Sequence, residues 1–187
     1  MDFWILLIGI VTLVVLFPYI RCLIIRLVSI GKIKKVCKIK GYKLYPTHKF
    51  WCLGSKKYLN CDVYIETDND VLAVKLFGMP RKRSVLIVNE NGEYVIRSYI
   101  VVFSYSPGCR TPFDSKPKRM PEYDFRYKYK EGWEHKHLQR VVLVTPAPIE
   151  LIHRRENGGD VLVGSSMGVK GIEYYCSSCF IKYLENL

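Results

Sequence analysis

No aspartate or glutamate occurs between Phe3 and Cys61, and residues 3–20 carry no charge of either sign. The first absence removes carboxylate ligands and acid–base carboxyls from the first third of the chain. The second removes the polar face that a water-exposed helix needs. The start also has no lysine or arginine ahead of the apolar run, and no small-residue cleavage site follows it, which argues against a secretory signal peptide. Cysteine is present without pattern: seven residues, at 22, 37, 52, 61, 109, 176 and 179, odd in number and irregular in spacing, unlike a secreted disulfide framework. No internal repeat is visible.

What replaces the missing charge is lipid-compatible. Residues 3–20 read FWILLIGIVTLVVLFPYI, and residues 22–25 extend the run if the Arg21 side chain snorkels to the headgroups. About 20 apolar helical residues cross a hydrocarbon core. Trp4 and Tyr19 stand at the two ends, where amphipathic rings favour the interface, and Pro18 falls near the end, where a membrane helix tolerates it. These features predict one transmembrane anchor over residues 1–30. Arg21, Arg26, Lys32, Lys34, Lys35, Lys38 and Lys40 all follow the run. Positive flanks stay cytoplasmic, so the N-terminus is expected outside and the remainder in the cytoplasm, where thiols stay reduced.

Eleven lysines and arginines lie between Arg21 and Lys57, in a chain of net charge +12. A juxtamembrane run of this kind is drawn to anionic lipid at about 1 kcal/mol per basic residue near the surface. Nucleic acid is the other natural partner of a basic chain. The charges begin at the membrane edge, which favours topology plus lipid contact. Residues 31–60 are therefore read as a basic juxtamembrane segment. The seven basic residues from Arg21 to Lys40 are its expected contacts with anionic headgroups.

Residues 61–187 predict one cytoplasmic α+β domain, mainly an antiparallel sheet with a C-terminal amphipathic helix. Ile33, Val36 and Ile39 recur at near-helical spacing, so the anchor helix is expected to continue past the membrane, a strand over residues 36–44 being the alternative. Across residues 61–102, four β-prone runs are joined by turns at Asp68-Asn69-Asp70 and Asn91-Gly92, which predicts a four-stranded meander. Prolines 107, 112, 117 and 121 make residues 104–138 a long loop. Within it, Phe125–Lys130 alternates aromatic and basic side chains, as an edge strand or a nucleic-acid or membrane tracker does. Residues 140–145 predict a strand, Thr145-Pro146 the start of a short helix to about His153, and Ile172, Cys176, Cys179, Phe180, Tyr183 and Leu187 one face of the final helix.

Complete catalytic sets are missing. Gly164-Ser165-Ser166-Met167-Gly168 resembles the nucleophile elbow of the α/β-hydrolases, with Ser166 as nucleophile, but no histidine follows it and the chain is short for a parallel sheet. A Gly/Ser-rich turn is the better reading. Cys176-Ser177-Ser178-Cys179 has no second pair at zinc-site spacing and is expected inside the last helix, as buried thiols. Glu134-His135-Lys136-His137 offers two imidazoles with a cation between them. No metal or cofactor is expected.

Asp62 opening one strand and Ala73-Val74-Lys75 in the next resemble the hairpin of the restriction-endonuclease-like nucleases. In that family an aspartate and an (Asp/Glu)-x-Lys triplet hold Mg²⁺ and a water against a phosphate. Here Ala73 takes the triplet's acid position, Glu66 or Asp68 serves only from a shifted place, and no upstream acid is present. The resemblance implies a membrane-tethered nuclease or nucleic-acid binder using Asp62, Glu66 and Lys75. The residues themselves favour the other class: a single-pass membrane protein, not expected to be an enzyme, whose domain binds an anionic lipid surface or an unidentified protein.

Overall fold

The computed structural model describes residues 2–46, 61–79, 84–101, 110–119, 132–157, 159–163 and 166–187. It is α+β, a mainly sheet domain with a helix at each end of the chain. Helix α1 (Asp2–Lys40) runs unbroken for 39 residues, about 58 Å at 1.5 Å per residue. It ends where a helix of this kind should. Gly41 takes φ +76°, and the Tyr42 N–H reaches back to the Cys37 carbonyl at 2.9 Å, closing a Schellman-type cap.

Two sheets follow. In the first, β1 (Lys43–Pro46), β2 (Val63–Glu66), β3 (Asp70–Gly78), β8 (His137–Thr145), β12 (Ile172–Cys176) and β11 (Ser166–Val169) lie in that order. In the second the order is β10 (Asp160–Val163), β9 (Glu150–Arg154), β4 (Ser84–Asn89), β5 (Glu93–Val101) and β6 (Arg110–Asp114), with β7 (Lys118–Arg119) also pairing β5. Most pairings are antiparallel, as expected. Three are parallel: β3 with β8, β8 with β12, and β4 with β9.

The packing explains the apolar runs. One face of the first sheet meets the second sheet: Tyr64, Val71, Ala73, Phe77, Val142, Val144 and Tyr174 pack with Leu86, Val88 and Leu151. The other face carries Val63, Ile65, Leu72, Val74, Val141 and Leu143, covered by Ile33, Val36 and Cys37 of α1 and by Phe180 and Leu184 of α2 (Ser177–Asn186). A strand buried on both faces has no polar face, hence the runs VLAVKLF, interrupted only by Lys75, and VVLV.

Several expectations are corrected here. Residues 61–102 do not form one meander. They form two antiparallel hairpins, β2–β3 and β4–β5, in different sheets, because β3 takes β8 as its next neighbour. The turn falls where the sequence placed it, but its central residues are Glu90-Asn91: the Gly92 N–H bonds the Asn89 carbonyl at 2.9 Å, and of Asn91 and Gly92 only the glycine takes positive φ, +87°. No helix follows Thr145-Pro146; that bond is cis, and residues 150–154 form β9. The final helix begins at Ser177, five residues later than the apolar spacing suggested, because Ile172–Cys176 pairs with β8. Ser166 opens β11, while Gly164 and Ser165 of the expected Gly/Ser-rich turn lie outside the described residues; β11 and β12 are joined through Lys170-Gly171, both at positive φ. The expected loop over residues 104–138 contains β6, β7 and the start of β8, while Phe125–Lys130 lies outside the described residues.

Candidate functional site

The site is the place where α1 enters the domain. Ser29, Ile33, Val36 and Cys37 recur by four, three and one, so they form one stripe, and all four are buried. Ile39 lies off that stripe and is 73% exposed, although its spacing had grouped it with Ile33 and Val36. At the start of the stripe the Ser29 hydroxyl meets the Thr145 hydroxyl at 3.1 Å, at the end of β8. One turn earlier, the Arg26 guanidinium forms an ion pair with Asp62.

Asp62 is the centre of this junction. Its side chain is 1% exposed. It sits one residue ahead of β2, held there by its own N–H bonded to the Val74 carbonyl at 2.9 Å. One carboxylate oxygen accepts the Leu76 N–H at 2.7 Å and stands 3.7 Å from the Lys75 ammonium. The other faces Arg26. Two cations and a backbone donor therefore surround one buried carboxylate. The balance is needed, because an unpaired buried charge is costly. Burial, followed by the neighbouring Arg26 charge, pushes the Lys75 ammonium below the usual lysine range. Cys61 next door is buried, and that burial raises its thiol to about 12, well above where a thiol serves as a nucleophile.

Asp62 and Lys75 are thus brought together as the hairpin resemblance placed them, but Glu66 is not. It lies at the other end of β2, about 13 Å along a strand from Asp62. Glu66 has its own partners: the Lys136 ammonium at 3.0 Å and the Tyr45 hydroxyl at 2.9 Å. Burial pushes its carboxyl up, but hydrogen bonds from Lys136, Trp133 and Tyr45 outweigh that and bring it down to about 2. Among the described residues no three His, Cys, Asp or Glu side chains gather as metal ligands do. The His135 and His137 side chains are exposed, the latter 3.3 Å from Asp70.

The remaining basic residues divide. Arg26 turns to Asp62. Lys32, Lys34, Lys35, Lys38 and Lys40 all lie on the exposed side of α1, as does Arg21. Sequence reasoning had grouped Arg26 with the other lipid contacts. Its place on the buried stripe, three residues before Ser29, was the available signal.

Cys176 and Cys179 are also re-placed. Cys176 caps α2 and Cys179 lies in its first turn, with the two sulfurs 3.0 Å apart, so the pair opens the helix instead of lying within it. Burial raises the Cys176 thiol, which works against nucleophilic use at neutral pH.

No family model, curated protein or solved structure matches this chain. Among the described residues no helix is long and apolar enough to cross a membrane. Most of the charge-free run, residues 3–11, 13–15, 18 and 19, lies within α1 but outside the described side chains.

Proposed function

We propose that this is a single-pass membrane protein whose anchor is the first part of α1. Its N-terminus lies outside, and its cytoplasmic α+β domain serves as a binding module at an anionic membrane surface. One observation carries the reading. A single helix starts with a charge-free run of 18 residues and ends inside the domain core, so no flexible linker separates the two. A module on such a stem is held at a fixed height and orientation. A tether of the same length without docking would let it tumble.

Helix geometry then ranks the basic residues. If the hydrocarbon ends near Ile25, Lys32, Lys34 and Lys35 stand about 10–15 Å beyond it along the axis. Their long side chains reach the headgroup layer from there. Lys38 and Lys40 stand about 20 Å beyond, outside a Debye length of about 8 Å from the lipid phosphates. Lys32, Lys34 and Lys35 are therefore the main lipid contacts, with Arg21 snorkelling from within the run.

Alkaline carbonate extraction and protease protection test this directly. The full chain should stay with membranes in carbonate and leave them in detergent. A C-terminal tag should survive protease added to intact cells and be lost after permeabilisation. Release by carbonate removes the anchor, and shaving of the tag from intact cells reverses the orientation.

A further inference from the structure

We infer that the end of the two sheets where α1 enters lies directly on the bilayer surface, with Phe113, Ile149 and Tyr99 in contact with lipid. The inference rests on the anchor reading above and adds a second membrane contact, made by the folded domain.

The pairing pattern fixes which residues share that end. Ser29 of α1 bonds Thr145 at the end of β8, and the Met79 N–H, just past β3, bonds the Thr145 carbonyl at 2.9 Å. From these two strand ends the chain passes to the starts of β4 and β9, where the Ile149 N–H bonds the Ser84 carbonyl at 3.0 Å. Ser84 pairs with Ser98, and Ser98 pairs with Phe113. Ile149, Ser84, Ser98 and Phe113 are therefore one lateral row across the second sheet. It spans three strand spacings, about 14 Å. Beyond this row β5 and β6 continue together, Tyr99 opposite Pro112, Ile100 opposite Thr111 and Val101 opposite Arg110. Three further residues carry the ladder about 10 Å past the start of β4, on the side where the anchor lies.

The large apolar side chains left in the open follow the same geography. Among the described strand residues and their loops, those exposed are Phe113 at 59%, Ile149 at 54% and Tyr99 at 40%. All three lie at this end. On α1, Leu16, Phe17, Ile20, Ile24, Leu27 and Val28 are exposed, and this continuous apolar surface stops at Val28, one residue before the Ser29–Thr145 bond, with only Ile39 exposed further on among the described residues. The exposed apolar surface of the helix thus runs into that of the sheets. The opposite end differs in kind. Glu66, Asp68, Asp70, Lys136 and His137 crowd the far end of the first sheet, and Glu90, Glu93 and Arg154 that of the second. A membrane at the anchor end meets these apolar side chains with Arg110 on the same ladder, a cation suited to anionic headgroups, and water at the far end meets charge of both signs. A lipid surface is the occupant this arrangement selects, since it is already beside α1 at that height.

The test uses the full chain in vesicles of phosphatidylcholine and phosphatidylserine with clickable acyl chains. Photoreactive benzoyl-phenylalanine replaces one residue at a time: Phe17 on the anchor, Phe113 and Ile149 at the near end, and Glu93 at the far end. The expected result is lipid adduct at 17, 113 and 149, several-fold above that at 93. Adduct at 17 with none above the level of 93 at 113 and 149 overturns the inference and leaves the anchor standing. No adduct at 17 removes the anchor reading, and the inference with it. Adduct to a second protein in place of lipid at 113 and 149 assigns this end to a protein partner and likewise overturns it.

Discussion

Two carboxylates at the two ends of β2 show how the ends of this molecule differ. Asp62, at the end where α1 enters, is buried and holds an arginine from α1, a lysine from β3 and a backbone N–H. Glu66, at the far end, is partly open to water and holds Lys136 and Tyr45. Both are satisfied, but their tasks are different. The Asp62 cluster joins elements separated by the long segment between Arg26 and Asp62, so it locks the stem to the sheet. The Glu66 cluster joins β1, β2 and the turn before β8, and closes over Trp133, which packs edge-on to Tyr45 with ring centroids 5.8 Å apart. One fastens the domain to its support. The other trims a solvent edge.

The strongest way to break the near end is Asp62→Ala. It leaves the Arg26 and Lys75 cations close together without a counter-charge, and the Leu76 N–H without its acceptor. Removing one partner of a buried ion pair costs about 3–5 kcal/mol. Thermal unfolding of the full chain in detergent should show a loss of that size, with early proteolysis at the α1–sheet junction. A loss under about 1 kcal/mol would mean that water reaches the cluster and the lock is weak.

Next in size is the lipid preference proposed for α1. Replacing Lys32, Lys34 and Lys35 by glutamine should reduce selectivity for spin-labelled phosphatidylserine over phosphatidylcholine by about 1 kcal/mol per residue. Replacing Lys38 and Lys40 should change it much less, because they stand beyond the Debye length. Equal effects from both sets would mean that α1 is strongly tilted or that the membrane sits deeper on the domain.

At the far end Glu66→Gln should cost about 2 kcal/mol, since the amide still accepts from Tyr45 but the charge-assisted bond to Lys136 is weakened. Its signature is in the pH dependence. The folded carboxyl lies near 2 against an ordinary 4.5, so the stability it supplies is complete above pH 4.5 and is lost as pH falls toward 2. Glu66→Gln should flatten the acid side of the stability curve over that window. An unchanged acid limb would show that other carboxyls govern it.

The parts legible in the sequence were those with local causes. A turn that needs positive φ announces itself as Asn91-Gly92. A helix that continues past the apolar run shows in Ile33 and Val36. Strand partners are different. VLAVKLF is equally compatible with any apolar neighbour, and its actual partner, β8, lies some sixty residues away in a parallel pairing. Residues 172–176 satisfied a helical spacing by chance, while their aromatic, β-prone character and the free edge of β8 decided for a strand. Thr145-Pro146 read as a helix start because capping is a local rule, but pairing with β4 held residues 150–154 extended. The candidate site was half legible. Asp62 and Lys75 were singled out as a pair, but nothing near them in the chain pointed to Arg26.

By itself the sequence determined the charge-free run, the acid-free basic stretch behind it, and an α+β domain to follow, because hydropathy, charge and turn chemistry act over a few residues. The tertiary structure decided which basic residue turns inward, which carboxylate receives it, and which apolar side chains end up beside the stem. Those outcomes depend on elements far apart in the chain arriving at one place. A buried charge accepts its counter-ion from wherever the fold brings one.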